Sequence, residues 1–180
     1  QLLQEKIKKN IQKRRVKTSY DCIVGVSGGK DSTRQAHWVR DRLGLKPLLV
    51  CAAYPPKQMT AIGARNLTNL IEMGFDLIVA TPAPETASQL ALKSFKIHLK
   101  DHYIYPSQIK FKKSKVDIFY LGPAWDDWSN DSNSIYAALQ GLVVRPDQED
   151  FTGDLSNASM LDEEFTNINF MLKYYKLGFG

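Results

Sequence analysis

Three apolar runs of strand length, each followed by a segment with helical features, constrain this chain's fold more than any other feature. The runs are Tyr20–Val26, Pro47–Ala53 and Phe75–Ala80. Gly44 and Gly74 precede the second and third runs, at positions where a glycine commonly ends a helix. Successive strand–helix units connect through right-handed crossovers. The pattern therefore predicts a single α/β domain with a doubly wound parallel sheet covered by helices on both faces.

The remaining elements are predicted from spacing and capping signals. The expected helices run from about Ser32 to Leu43, from Thr60 to Met73 and from Pro84 to about Lys96, and a fourth strand is expected at Val116–Leu121. The residues of the second helix predicted to face inward are Ile62, Leu67, Leu70 and Ile71. On the same helix, Arg65 and Asn66 are expected to lie on a solvated face, although both could reach a substrate.

Charge is segregated along the chain of 180 residues. Residues 1–17 carry seven Lys and Arg and one Glu, a net charge of +6. The whole chain has a net charge of +5, so the remaining residues sum to −1. Leu3, Ile7 and Ile11 recur every four residues in this stretch, which predicts a basic N-terminal helix over 1–17 ahead of an α/β domain over 18–180. A basic tail on a nearly neutral body makes nucleic acid an unfavoured partner.

Composition excludes several classes of protein. The longest apolar stretches are about ten residues, against roughly 18 for a membrane span, and no secretory signal pattern is seen, so we expect no membrane association and a cytoplasmic location. Cys22 and Cys51 are too few for a disulfide scaffold or a zinc site of four cysteines.

The segment after the first run has the chemistry of a phosphate-binding loop. It reads SGGKDS and consists of Ser27, Gly28, Gly29, Lys30, Asp31 and Ser32. A loop between a strand and a helix directs backbone N–H groups and a helix N-terminus at one anion. Glycines permit close backbone approach, serines donate hydrogen bonds and the lysine supplies a positive charge. The spacing fits neither GxxxxGK[ST] nor GxGxxG.

SGGKDS in this position resembles the pyrophosphate loop of the N-type ATP pyrophosphatases, which include GMP synthetase, NAD synthetase, asparagine synthetase and tRNA-lysidine synthetase. The resemblance implies a Rossmann-like fold of the adenine nucleotide alpha hydrolase kind, with the loop holding the β and γ phosphates of ATP. It implies phosphate contacts from the six loop residues, with Lys30 and Asp31 in catalytic roles. It also implies that backbone groups at Cys51 and Ala53 hold the adenine.

A longer stretch is similar to the N-acetyl sugar amidotransferases of bacterial surface-polysaccharide and nonulosonate pathways. The similarity lies in YDCIVGVSGGKDST, LGLKPLLV and IGARNLTNLIEMGFDLIVATPAPE, and covers residues 18–96 well. It implies ATP and Mg²⁺ as cofactors and a carbohydrate carboxylate or acetamido group, on an N-acetylated sugar acid or nucleotide-sugar, as acceptor. It further implies a glutaminase subunit that supplies ammonia.

The chain departs from that family in two places. A Cys-rich zinc module usually precedes the first strand in the family and is absent here, and an aromatic-Gly-acid signature after the fourth strand is replaced by YLGP. Asp126 and Asp127 follow a few residues later and, with Asp31, are candidate Mg²⁺ ligands, since magnesium usually takes one or two protein carboxylates. The alternative for Asp126 and Asp127 is a solvated acidic loop.

Two other functions stay open at this point: a non-catalytic ATP-binding module and a tRNA-modifying ATP pyrophosphatase. Sulfur transfer to tRNA needs neighbouring thiols, yet Cys22 and Cys51 should stand about four residues apart along adjacent strands, roughly 13 Å. His37, His98 and His102 are expected to be structural or surface residues. The Lys-rich segment 93–115 is either a cationic lid over the nucleotide or a solvated loop.

Overall fold

The computed structural model of the chain describes residues 2–14, 19–96, 117–122, 125–146, 157–159, 161, 168, 171 and 175. In chain order the helices and strands are α1 (Leu2–Arg14), β1 (Cys22–Gly25), α2 (Lys30–His37) with a π-helical continuation (Trp38–Arg42), β2 (Pro47–Ala52), α3 (Ala61–Glu72), β3 (Asp76–Ala80), α4 (Pro84–Lys96) and α5 (Asn130–Leu139). None of the helices within these residues has the length and apolar character that crossing a bilayer requires.

The three strands form one parallel sheet in the order β1-β2-β3. In the register, Val24 lies opposite Leu49, and Leu49 lies opposite Leu77. Each strand is joined to the next by a helix, which is the connection that parallel strands require. The predicted α/β architecture with a parallel sheet is therefore confirmed.

The core lies on one face of this sheet. Val24, Leu49 and Cys51 point into it, and Leu67 and Leu70 of α3 pack in the same buried cluster. Full burial of a leucine stabilises a fold by about 1.5–3 kcal/mol. Ile7 of α1 is also buried in this cluster, with Leu3 and Ile11 packed against it, as the spacing of the basic helix predicted.

Part of the predicted core is exposed. Ile71 is 56% exposed, so the prediction that it faces inward is wrong, whereas the same prediction for Leu70 is confirmed, since Leu70 has no exposed surface. On the second face of the sheet, Ile23 and Ile78 are 71% and 52% exposed. The described residues thus cover one face of the sheet over β1 and β2, although Val79 of β3 on that face is 46% exposed, and leave apolar side chains uncovered on the other.

The described part of the predicted fourth strand does not pair with the sheet. Val116 lies outside the described residues, and 117–121 form no strand ladder with β1, β2 or β3. Phe119 and Leu121 nevertheless pack against the core cluster. A cavity of about 750 Å³ opens between this segment, α1 and β1.

Two buried asparagines of α3 attach the turn after α5. Asn66 is 3% exposed and exchanges two hydrogen bonds with the backbone of Val143, at 3.0 and 2.8 Å. Asn69 donates to the carbonyl of Gly141 at 2.7 Å. The predicted solvated position of Asn66 is therefore wrong, whereas Arg65 does lie on the exposed face, paired with Glu72.

Candidate functional site

The two serines of the SGGKDS loop hold it in shape. β1 ends at Gly25 and α2 begins at Lys30, so the loop lies at the carboxyl end of the strand, as predicted. The N–H of Gly29 donates to Ser27 Oγ at 3.3 Å, and the N–H of Ser27 donates to Ser32 Oγ at 3.3 Å. Ser32 Oγ donates in turn to the Gly29 carbonyl at 3.1 Å. Ser27 Oγ is an acceptor in this arrangement and keeps its own proton for another partner.

Gly28 is required at its position for two reasons. Its φ is +86°, in the left-handed region that side chains rarely adopt. A Cβ there would lie 3.2 Å from Leu67 Cδ2 and 3.3 Å from the Leu67 backbone nitrogen. The loop backbone is thereby packed directly against α3, and a side chain at position 28 would fit only if Leu67 moved by a few tenths of an ångström.

The N-terminus of α2 presents backbone donors without a side-chain cap. Gly29 is the N-cap residue. The first backbone hydrogen bond of the helix is donated by the N–H of Thr33 to the Gly29 carbonyl, at 3.0 Å. The N–H groups of Lys30, Asp31 and Ser32 come before that bond and have no partner within the helix. Such a helix end attracts anions through its free N–H groups and its dipole.

Lys30 and Asp31 form a pair at this helix start. Lys30 is 8% exposed, and its Nζ lies 3.4 Å from Asp31 Oδ2. The Asp31 side chain is half-exposed. Its other oxygen, Oδ1, accepts a hydrogen bond of 2.7 Å from the amide of Asn133 in α5. One charged group of the loop is thus buried and the other is held at the surface by a distant helix.

A buried arginine connects α2 to α5. Arg34 is 8% exposed and donates through Nη1 to Asn133 Oδ1 at 2.6 Å and to Ser132 Oγ at 3.0 Å. Its Nη2 donates to both carboxylate oxygens of Asp127, at 2.9 and 2.8 Å. The hydrogen bond and charge of Arg34 hold the pKa of Asp127 below its usual range. Ser129 caps α5 through a reciprocal pair of bonds with Ser132, which fixes the helix start.

The proposed metal ligands have different surroundings. Asp31 is half-exposed beside the loop, Asp126 is exposed, and Asp127 is engaged by Arg34. Within the described part of the chain, no group of three or more His, Cys, Asp or Glu side chains is arranged to hold a metal ion. A magnesium ion that arrives on ATP needs fewer protein ligands than this, because phosphates and water complete its coordination.

The residues expected near the adenine lie at the end of β2. Cys51 is 2% exposed and pairs with Val79 of β3, so its side chain belongs to the core. The N–H of Ala53 donates to the carbonyl of Ala80 at 2.9 Å, which extends the sheet by one bond. An adenine bound at this strand end would therefore need a backbone donor other than the N–H of Ala53.

The cysteine and histidine predictions can be compared with the geometry. The register pairs Cys22 with Pro47, four residues before Cys51, which confirms the predicted separation, and neither cysteine forms a disulfide. Burial raises the pKa of the Cys22 thiol to about 11. His37 is buried and packs edge-on against Phe75, as a structural histidine would. His98, His102 and most of the Lys-rich segment lie outside the described residues.

Sequence reasoning did not single out Arg34, Ser132 or Asn133. These three residues link the loop helix to α5 through hydrogen bonds that span 98 to 102 positions of sequence. The only signal was the SNDS run at 129–132, whose two serines three residues apart are typical of a helix N-terminus.

Neither the family models nor the curated proteins include a match to this chain.

Proposed function

We propose that this chain is an ATP pyrophosphatase-type amidotransferase or ligase domain with a doubly wound, Rossmann-like fold. The observation that carries the proposal is the loop Ser27–Ser32, which joins β1 to an uncapped helix N-terminus and is packed through Gly28 against α3. Free backbone donors, a helix dipole and a lysine at one place suit the triphosphate of ATP. In this proposal the β and γ phosphates of Mg-ATP lie in the loop.

The proposed reaction has two steps. An acceptor oxygen attacks the α-phosphorus of ATP, a new P–O bond forms, and the bond to the β-phosphate breaks to release pyrophosphate. Ammonia then attacks the activated carbon, and AMP leaves with the oxygen of the acceptor. The side chains here have little covalent chemistry to perform, so catalysis would rest on positioning and charge stabilisation.

Each loop residue has a proposed part in this chemistry. Ser27 and the backbone of Gly28, Gly29 and Ser32 hold the departing pyrophosphate, and Lys30 neutralises its charge. Asp31 orients the loop or the magnesium ion, with Asp126 as the second candidate ligand. Asp127 fits a metal less well, because a guanidinium already neutralises both of its oxygens.

The acceptor and the ammonia source follow from the resemblance of residues 18–96 alone. They are an N-acetylated sugar acid or nucleotide-sugar, and a separate glutaminase subunit.

A second candidate function is a non-catalytic ATP-binding module of the same fold. It is favoured by the pairing of Asp127 with Arg34, which removes one of the three candidate metal ligands. Such a module would bind ATP through the same loop but would release no pyrophosphate with any acceptor.

The binding part of the proposal is tested by calorimetric titration of Mg-ATP into Lys30→Met, with Lys9→Met as the control from the exposed face of α1. Loss of a charged hydrogen-bond donor is worth about 1.5–3 kcal/mol, so Lys30→Met should bind at least about tenfold more weakly than the unchanged protein. Lys9→Met should bind equally well. Equal affinities for all three proteins would contradict a triphosphate in this loop.

A further inference from the structure

The amide of Asn133 stands between two charged groups in a fixed orientation. Asn133 is 1% exposed; its Nδ2 donates to Asp31 at 2.7 Å and its Oδ1 accepts from Arg34 at 2.6 Å. A guanidinium has no acceptor and an ionised carboxylate has no donor, so the reversed amide would satisfy neither partner. The hydrogen bonds therefore run in one direction, from Arg34 through Asn133 to Asp31.

Arg34, at one end of this series of hydrogen bonds, is itself fixed in place. Arg34 also donates to Asp127 and Ser132, and its guanidinium lies 5.6–5.9 Å from the ring centroids of Tyr136, Trp128 and Trp125. A buried planar cation held by this many partners has little freedom to rotate. Arg34 thus holds the amide oxygen of Asn133 and does not itself contact the Asp31 carboxylate.

The other end of this series of hydrogen bonds is the half-exposed carboxylate of Asp31. Asn133 engages Oδ1, and Lys30 Nζ lies 3.4 Å from Oδ2. With one oxygen tied to a buried amide, the orientation of the carboxylate is restricted, and a cation bound in the loop would meet Oδ2, whose contact with Lys30 is long and single at 3.4 Å. A carboxylate fixed in this way binds a cation without first losing rotational freedom.

We propose that Asn133, held by Arg34, is the positioning residue that directs Asp31 at the magnesium ion of Mg-ATP. This inference rests on the proposed function of the loop. It assigns α5, which lies about a hundred residues away in sequence, a role in metal-nucleotide binding.

The first test compares Asn133→Ala with Asn69→Ala, a second buried asparagine whose amide bonds to Gly141 outside the loop. Affinity is measured by titration with Mg-ATP, and with ATP in the presence of EDTA. We expect Asn133→Ala to weaken Mg-ATP binding by about three- to tenfold, the value of ordering one side chain on binding. Binding of metal-free ATP should change by no more than about twofold, and Asn69→Ala should bind both as the unchanged protein does.

A second test separates positioning from stability by exchanging the two partners. In the double variant Asp31→Asn with Asn133→Asp, the amide at 31 can donate to the carboxylate at 133, and Arg34 keeps its acceptor. Thermal unfolding should recover towards the unchanged protein relative to Asn133→Asp alone, which places two carboxylates against each other. Mg-ATP affinity should stay low, because no carboxylate remains on the loop.

The outcomes distinguish this inference from the proposed function. If the unchanged protein does not bind Mg-ATP, the proposed function fails and the inference fails with it. If the unchanged protein binds but Asn133→Ala behaves as Asn69→Ala does, the inference alone is overturned. Recovery of Mg-ATP affinity in the exchanged double variant would also overturn it, since the bond would then be merely structural.

Discussion

Gly28→Ala is the substitution for which the structure gives the sharpest stability prediction. A left-handed backbone costs an L-residue about 1–2 kcal/mol, and the stiffer unfolded chain offsets about 0.4–1 kcal/mol of that. The new methyl would also lie 3.2–3.4 Å from two side-chain carbons and the backbone nitrogen of Leu67. Overpacking of this kind costs about 1–3 kcal/mol. The net backbone cost of about 0.5–1 kcal/mol and the overpacking together should lower the free energy of unfolding by about 1.5–4 kcal/mol.

Two other glycines provide matched controls. Gly44 has a φ of +65° and nothing within 4 Å of the place an added methyl would take, so Gly44→Ala carries the backbone cost alone, about 0.5–1 kcal/mol. Gly25 in β1 has neither a positive φ nor a close neighbour, and Gly25→Ala should be neutral or stabilise slightly.

Urea unfolding of the three variants measures these differences through the midpoint at constant slope. The order of stability should be Gly25→Ala, then Gly44→Ala, then Gly28→Ala, with the last two separated by at least about 1 kcal/mol. If Gly28→Ala were no less stable than Gly44→Ala, close packing of the loop on α3 would be refuted.

Three further predictions follow from the surroundings of single residues. Arg34 lowers the pKa of Asp127, so their pairing stabilises the fold above the ordinary carboxyl pKa and is lost as pH falls through the lowered value; the stability gap between the unchanged protein and Asp127→Asn, measured by unfolding at a series of pH values, should vanish in acid. Burial raises the pKa of Cys22 from 9.0 to about 11, so its rate of alkylation by iodoacetamide at pH 8 should be about a hundredfold below that of an exposed thiol, and a fast reaction would contradict its burial. Asn66→Ala leaves both backbone groups of Val143 without their partner and should cost about 1–3 kcal/mol in urea unfolding, whereas a cost near zero would place Asn66 in solvent.

Local patterns in the sequence are enough to predict the strand–helix units and the loop. The three strands and the helix starting at Pro84 lie where the apolar runs and the proline predict them, because these signals act over a few residues. The segment 117–121 has the same apolar character as the paired strands. Whether it pairs depends on tertiary contacts, and here a cavity lined also by α1, about a hundred residues earlier in the chain, lies between this segment and β1.

The polar connections of the site cannot be predicted in this way. A charged residue such as Arg34 is normally assigned to solvent, since burying it is costly without partners. Its partners Asp127 and Asn133 are 93 and 99 residues away, and only the folded chain brings them together. For the same reason the helical pattern predicts an exposed position for Asn66, although the backbone of Val143, 77 residues later, buries it.

The identity of the nucleotide products tests the proposed function most directly. The protein is incubated with Mg-ATP, ammonium and a panel of sugar acids and acetamido-sugar nucleotides, and AMP, ADP, phosphate and pyrophosphate are separated by chromatography. The proposed reaction predicts AMP and pyrophosphate in equal amounts, formed only when the right acceptor is present. ADP and phosphate as the products would contradict it.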